Sequence, residues 1–352
     1  MEPPAFAGTD AERRAAVACA ARLREIGRSP RMQTLWFRPQ RDVPRAVHAV
    51  LGVAGSVVAV SHHPVGLALA AGALALSLLD AAGVPVVALP FARRATQNVV
   101  ARPLDDAPGT VRLVLTASVD EPRDSVLGRL ARRARGAATP GPVGVLDLAL
   151  VAVTACAGAR LGGAGGSVVG VVQLIPTIVL IVLFAGFVEA AIAQRAAATG
   201  AAAAGAAAVS VAAALDARPP RRMSVEVLIA GAGEAGAPGM RAYVRANRKR
   251  VVPEEVVVVH LVAGPAPLRF GVRDGERFAM RLHPRLAELA AAEIPGARRS
   301  ESRTLSGARV ARGARWPALT LSGPPADLAP AALRLVSAID KDLINGAHAR
   351  RR

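Results

Sequence analysis

Two kinds of pattern alternate along the chain. Between Ala46 and Leu79 there is no Lys, Arg, Asp or Glu. The run is broken at Ser61-His62-His63-Pro64, a polar, turn-forming cluster, which leaves apolar segments at 46–60 and 65–82. Each is near the lower limit of about 17 residues for a helix that crosses a bilayer. A second pair follows: 142–159, with Asp147 as its only charge, and the charge-free stretch Leu161–Val188. These predict two apolar helical hairpins. Arg is unevenly spread around them. Residues 1–45 and 90–140 carry nine Arg each, whereas the turn at 61–64 has none and the turn near 160–165 has only Arg160. Basic residues gather on the cytoplasmic side of a membrane. The expectation is a multi-pass protein of the cell membrane with four spans, both short turns outside, and the N-terminus and main domain cytoplasmic.

The polar remainder changes period. Ala11–Ile26 has the spacing of an amphipathic helix. TVRLVLTASVD at 110–120, SVEVLIA at 224–230, VVVVHLV at 256–262, Leu268–Gly271 and Ala318–Ser322 read as strands. Helices are predicted at 196–215, 238–249, 284–293 and 329–345. Alternating strands and helices imply an α/β sheet covered by helices on its faces. The expected organisation is a basic N-terminal arm (1–45), a first transmembrane hairpin (46–89), the first part of an α/β domain (90–140), a second hairpin (141–188) and the rest of that domain (189–352). The hairpins interrupt one domain instead of separating two.

Composition adds a partner question. The net charge is +18, and only Lys249 and Lys341 among 44 basic residues are lysine. Nucleic acid and anionic lipid are the usual counterparts of such a charge. The basic run Arg241, Arg245, Arg248, Lys249 and Arg250 has one aromatic nearby, Tyr243. Nucleic-acid binding would want interleaved aromatics for stacking, so anionic headgroups are the expected partner, nucleic acid is not, and a peptide or protein partner is left open. Arg350-Arg351-Arg352 reads as a charged tail. No cleaved signal is expected, because residues 1–45 lack an apolar core. Cys19 and Cys156 form no CxxC pair, so neither a disulfide framework nor a cysteine metal site is expected.

The segment Gly231-Ala232-Gly233-Glu234-Ala235-Gly236 sits between a predicted strand and a predicted helix. GxGxxG in that context can cradle a pyrophosphate on backbone N–H groups. The acid expected at the end of the next strand is missing, since that strand ends His260-Leu-Val-Ala-Gly. A nucleotide-binding module using GAGEAG is therefore a secondary alternative.

Several stretches, in order, resemble the zinc exopeptidases that include bacterial secreted aminopeptidases and glutamate carboxypeptidases, in particular a membrane-embedded bacterial subgroup. These are QNVVA at 97–101, LVLTASVD at 113–120, the helix opened by Gly200, EAGAPGMRAYV at 234–244 and VVVVHLVAG at 256–264. The resemblance implies a three-layer α/β sandwich with a mixed, mostly parallel sheet. It also implies two zinc ions held by His, Asp and Glu and a separate glutamate base. Carried over residue by residue, the first His ligand falls on Ser118 and the bridging Asp on Ala203. The base falls on Gly233, and the Asp of the following strand falls on His260. Asp120, which would orient the lost His, and Glu234, a ligand, are kept; the final His has no counterpart in SGPPADLAPAALRL.

The resemblance thus implies a non-catalytic relative acting as a binding or scaffold protein at the membrane. No cofactor is expected. The alternative is an active membrane metallo-aminopeptidase with an atypical zinc site, its ligands drawn from Asp120, Glu234 and His260. Other constellations are weaker. Ser118, Asp120 and His260 could be drawn as a serine triad, but no GxSxG elbow is present. His62-His63 lies in a turn. Asp147, inside an apolar span, is a functional candidate or an interfacial residue. Glu234 could cap the helix that follows it.

Overall fold

The computed structural model describes residues 4–349 except 40, 83, 85, 103–109, 134–139, 198–199 and 278; the Arg350–Arg352 tail lies outside them. The strands are β1 (Pro30–Phe37), β2 (Arg94–Ala101), β3 (Val111–Ser118), β4 (Met223–Ala230), β5 (Val256–Ala263), β6 (Arg269–Asp274), β7 (Met280–Arg281), β8 (Arg298–Ser302) and β9 (Ala318–Gly323). They form one nine-stranded sheet ordered β1-β2-β4-β3-β5-β9-β6-β7, with β8 on β6. The four central strands, β4, β3, β5 and β9, run parallel; β1, β2 and β7 pair antiparallel. β5 reads VVVVHLVA and is buried at nearly every position. β-branched residues on both sides of a strand are what a sheet covered on both faces needs.

Helices cover both faces. α1 (Asp10–Glu25), α7 (Ala201–Ala217), α9 (Pro284–Glu293) and α11 (Pro325–Ala349) pack on one. α8 (Pro238–Asn247) and α10 (Gly307–Gly313) pack on the other, where Trp316 and Tyr243 meet edge to face at 6.3 Å. This is an α/β fold with a mixed, mostly parallel sheet. Residues expected as a separate basic arm contribute α1 to the core and β1 to the sheet edge, in register from Pro30↔Ala101 to Phe37↔Arg94. β1 has little alternation to betray it: PRMQTLWF is exposed at most positions, as an edge strand can be.

The apolar runs form α2 (Asp42–Val58), α3 (His63–Ala81), α5 (Pro142–Leu161) and α6 (Ser167–Ile192). They pack as a four-helix bundle around Ala49, Ala70, Leu146, Leu150, Leu180 and Phe187, with Leu127 of α4 (Val126–Arg133) at its base. α3, α5 and α6 are long and apolar enough to cross a membrane. α2, expected as a fourth, has 17 residues and carries Asp42 and Arg45 in its first turn. Polar side chains are buried in the bundle beside this apolar core. Ser56 Oγ and Thr177 Oγ1 lie 2.6 Å apart, and Gln173 Nε2 donates to Ser56 O at 2.6 Å. Asp147, in the second turn of α5, is buried, accepts from Ser77 Oγ at 2.6 Å and pairs with Arg277 of the β6–β7 loop.

Candidate functional site

β3 and β4 are parallel neighbours, so the segments that leave their C-terminal ends lie side by side. One is Ser118-Val119-Asp120 and the other is the Gly-rich loop 231–236. Open α/β sheets place ligand crevices at these ends. A cleft of about 370 Å³ opens here, between the sheet and the base of the bundle. Glu121, Arg123, Glu234, Glu276 and Arg303 come from the domain, and Arg45, Val143 and Phe187 from the bundle.

Beneath the cleft, the loop is held by the protein's own side chains. Asn98 Oδ1 accepts from Gly231 N at 3.0 Å, and its Nδ2 donates to Gly239 O at 2.9 Å. Glu12 Oε1 accepts from Ala232 N at 2.6 Å. Asp120 takes the next two donors, Gly233 N at 2.6 Å and Glu234 N at 2.8 Å. The four consecutive N–H groups that a pyrophosphate would need are already bonded. Two of the acceptors are carboxylates, whose charge opposes a phosphate at that place. GAGEAG is therefore a tight turn, and it does not offer a nucleotide cradle.

Burial pushes the Asp120 carboxyl well above the usual range, and the nearby Glu234 and Glu12 push it further, against the two loop N–H groups. Glu12 is raised by burial too, with its bonds from Thr96, Gly8 and Ala232 pulling the other way. Glu12 was not singled out from sequence, yet Thr9-Asp10-Ala11-Glu12 carries the capping-box pattern. Glu12 N donates to Thr9 Oγ1 at 3.4 Å and Gly8 N donates to Glu12 Oε2 at 2.6 Å. The other Glu12 oxygen is what reaches Thr96 and the loop, and only tertiary contact could reveal that.

Ser118 explains Gly233. A Cβ built on Gly233 would lie 2.0 Å from Ser118 Oγ and 2.5 Å from Ser118 Cβ. The space a side chain at 233 would need is occupied. Ser118, Asp120, Gly233 and Glu234 are thus brought together, and Glu234 lines the cleft. The other two positions make no hydrogen bond to this loop among the described residues. Ala203 packs in the first turn of α7, against the core of the opposite face. His260 stands on β5 in register with Thr116 and Thr320, and its Nδ1 is 2.9 Å from where a Cβ on Gly307 would be, under α10. Burial lowers its pKa to about 4, although a hydrogen bond to the Thr116 backbone acts against that.

The serine triad is not assembled, since both Asp120 oxygens are engaged by the loop. Nor do the residues fit a zinc centre. Among the described residues, no group of three His, Cys, Asp or Glu side chains could hold a metal ion, and a zinc site normally takes at least three protein ligands. Cys19 and Cys156 are both free thiols.

No family model matches this sequence, and no curated protein matches it. Its structure is similar to a glutaminyl cyclase of Fimbriiglobus ruber at 12% identity and TM-score 0.49, over 96% of this chain and 88% of that one. It is similar to an aminopeptidase from Aneurinibacillus sp. strain AM-1 at 12% identity and TM-score 0.47, over 96% and 89%. A Zn-dependent exopeptidase from Parabacteroides distasonis matches at 10% identity and TM-score 0.46, over 96% and 92%.

Proposed function

We propose that this chain is a membrane-anchored, zinc-exopeptidase-like protein that has lost catalysis and acts as a binding or scaffold protein. The observation that carries this reading is the pairing of Gly233 with Ser118. At the two positions where the resemblance implies a base and a metal ligand, a glycine without a side chain faces a serine that fills its space. The retained Asp120 spends both oxygens on the backbone of the same loop. A catalytic site has become a hydrogen-bonded structural knot, while the cleft above it stays open and mixed in charge. Such a cleft suits a peptide segment or a charged headgroup.

Membrane anchoring is supported by the exterior of the bundle. Val171, Ile175, Ile178 and Val182 of α6 are each at least half exposed, and a stack of outward aliphatics is what a lipid-facing helix presents. The Arg distribution supports a cytoplasmic domain with both short turns outside. α2 would complete a fourth span with its charged first turn at the surface.

The test is metal analysis of the purified full chain, together with an assay on aminoacyl substrates. Sub-stoichiometric zinc and no hydrolysis are expected. Stoichiometric zinc with cleavage would overturn the reading in favour of an active metallo-aminopeptidase.

A further inference from the structure

A second cavity, of about 290 Å³, lies beside the cleft, between the domain-side ends of α2 and α3 and the β6–β7 loop. Five arginines line it: Arg41, Arg45, Arg241, Arg277 and Arg309. Asp80 and Glu276 are its acids among the described residues. Three of the five guanidinium groups are already committed. Arg41 donates to both Glu276 oxygens, at 3.2 and 2.7 Å. Arg45 is shared between Asp42 and Glu276, at 3.0 Å each, and Arg277 is paired with Asp147. The other two contact only neutral groups among the described residues. Arg241 Nε donates to Gly236 O at 2.9 Å, and Arg309 donates to the Met280 sulfur.

Like charges crowd these two side chains, Arg241 exposed and Arg309 half-buried. Burial lowers the Arg241 pKa, and the like charges of Arg41, Arg309 and Arg245 lower it further, against Glu276. Burial lowers Arg309 as well, with Asp274 opposing. The arrangement is built into the backbone. Gly236 has φ +97°, and a Cβ there would lie 3.0 Å from Arg41 Cζ, so this glycine both makes the turn and lets Arg41 lie over it. Crowded cations whose hydrogen bonds among the described residues go only to neutral groups favour an anion beside them.

We propose that this cavity binds a phosphate group, presented either by an anionic lipid headgroup or as a free phosphate. Guanidinium forks match phosphate oxygens in geometry and charge. The cavity has room for a phosphate and several waters, each of about 30 Å³. Among the described residues no aromatic side chain lines it, so none of them offers a nucleotide base a stacking face. Asp80 and Ala81 place it level with the domain-side end of α3. The lipid source rests on the membrane reading above, because only there does that level coincide with headgroups; the phosphate chemistry itself does not.

The test uses the full chain in neutral detergent. It is titrated with inorganic phosphate and, separately, with a short-chain phosphatidic acid, with phosphatidylcholine as the uncharged control. Calorimetry and thermal unfolding are read. Arg241→Gln/Arg309→Gln is compared with Arg248→Gln/Arg250→Gln, which removes equal charge beyond the end of α8. Saturable binding that weakens at least roughly ten-fold in the first pair and not in the second is expected, since bonds to charged groups are each worth that much. Saturation with phosphatidic acid alone assigns the lipid source, and saturation with inorganic phosphate assigns the ion itself. No saturable binding to either, or an equal loss in both pairs, overturns the proposal. Release of the chain from membranes without detergent would sink the membrane reading and leave phosphate binding standing.

Discussion

The bundle and the sheet domain differ in what their aliphatic side chains face. In the domain, Val, Leu and Ile fill the sheet faces and are enclosed by helices. In the bundle, Leu146, Leu150, Leu180 and Phe187 are enclosed together with polar side chains, while further aliphatics such as Val171, Ile175, Ile178 and Val182 point outward. Ser56, Thr177 and Gln173 form one internal network, and Ser77, Asp147 and Arg277 form another. Water drives the first arrangement by the hydrophobic effect. The second gains nothing from burying aliphatics against each other if the surroundings are equally apolar, so close packing and hydrogen bonds must hold it. The two regions are joined by ion pairs: Glu276 and Arg277, adjacent in the β6–β7 loop, reach Arg41 and Arg45 on one side and Asp147 on the other.

The largest expected effect is in the domain. Gly233→Glu introduces a carboxylate that collides with Ser118 and sets a charge beside buried Asp120. Overpacking and an unpaired buried charge together should cost at least about 4 kcal/mol, read as lost folded yield and a lower unfolding temperature. Adding Ser118→Gly should recover part of that loss; no recovery would mean that Ser118 is not what excludes a side chain.

Next comes the joint. Asp147→Leu strands Arg277 in a largely buried site and should cost about 3 kcal/mol. Asp147→Leu/Arg277→Leu, which removes both charges, should be milder than the single change. If the double variant is worse, the pair adds stability and does more than neutralise itself.

A pH titration probes the same joint. Burial would raise the Glu276 pKa, but Arg41 and Arg45 outweigh it and hold the value at about 2, below the ordinary 4.5. The folded state therefore binds fewer protons than the unfolded one in that window. Its stabilisation is fully present above the unfolded value and is lost as pH falls through the folded one, amounting to roughly 3 kcal/mol. Glu276→Gln should flatten that acid limb of the stability curve while the rest of the titration stays; an unchanged limb would remove Glu276 from the account.

The smallest effect is inside the bundle. Gln173→Leu loses its bonds to Ser56 and Arg160 and should cost about 1 kcal/mol in detergent. A cost as large as that at Asp147 would erase the distinction between polar packing and charge pairing.

Much of the fold was legible. The helix at 284–293 and the strands at 224–230, 256–262 and 318–322 were readable because their periods are regular and their residues bulky. β1, β8 and α10 were not. PRMQTLWF is a mostly exposed edge segment without regular alternation and RRSES a short polar one, and the strand state of both comes from a neighbour's free backbone. Gly233, Asp120 and Glu234 were singled out through motif order, and the structure joins them by hydrogen bonds. Glu12 was missed, because a residue in the first turn of an exposed-looking helix carries no mark of a loop 220 positions away.

The sequence by itself determined where the chain is apolar for the length of a helix, where it alternates, and that Ser118, Ala203 and Gly233 stand where the resemblance implies zinc ligands and a base. Those properties are local, since each residue carries its own hydrophobicity and its own donor atoms. Only the tertiary structure decided what took their place: a loop whose N–H groups are filled by Asn98, Glu12 and Asp120, and two arginines gathered beside it among already paired charges. Hydrogen bonds and confined charges depend on distances between segments far apart in the chain, and those distances exist only once the sheet has brought the strand ends together.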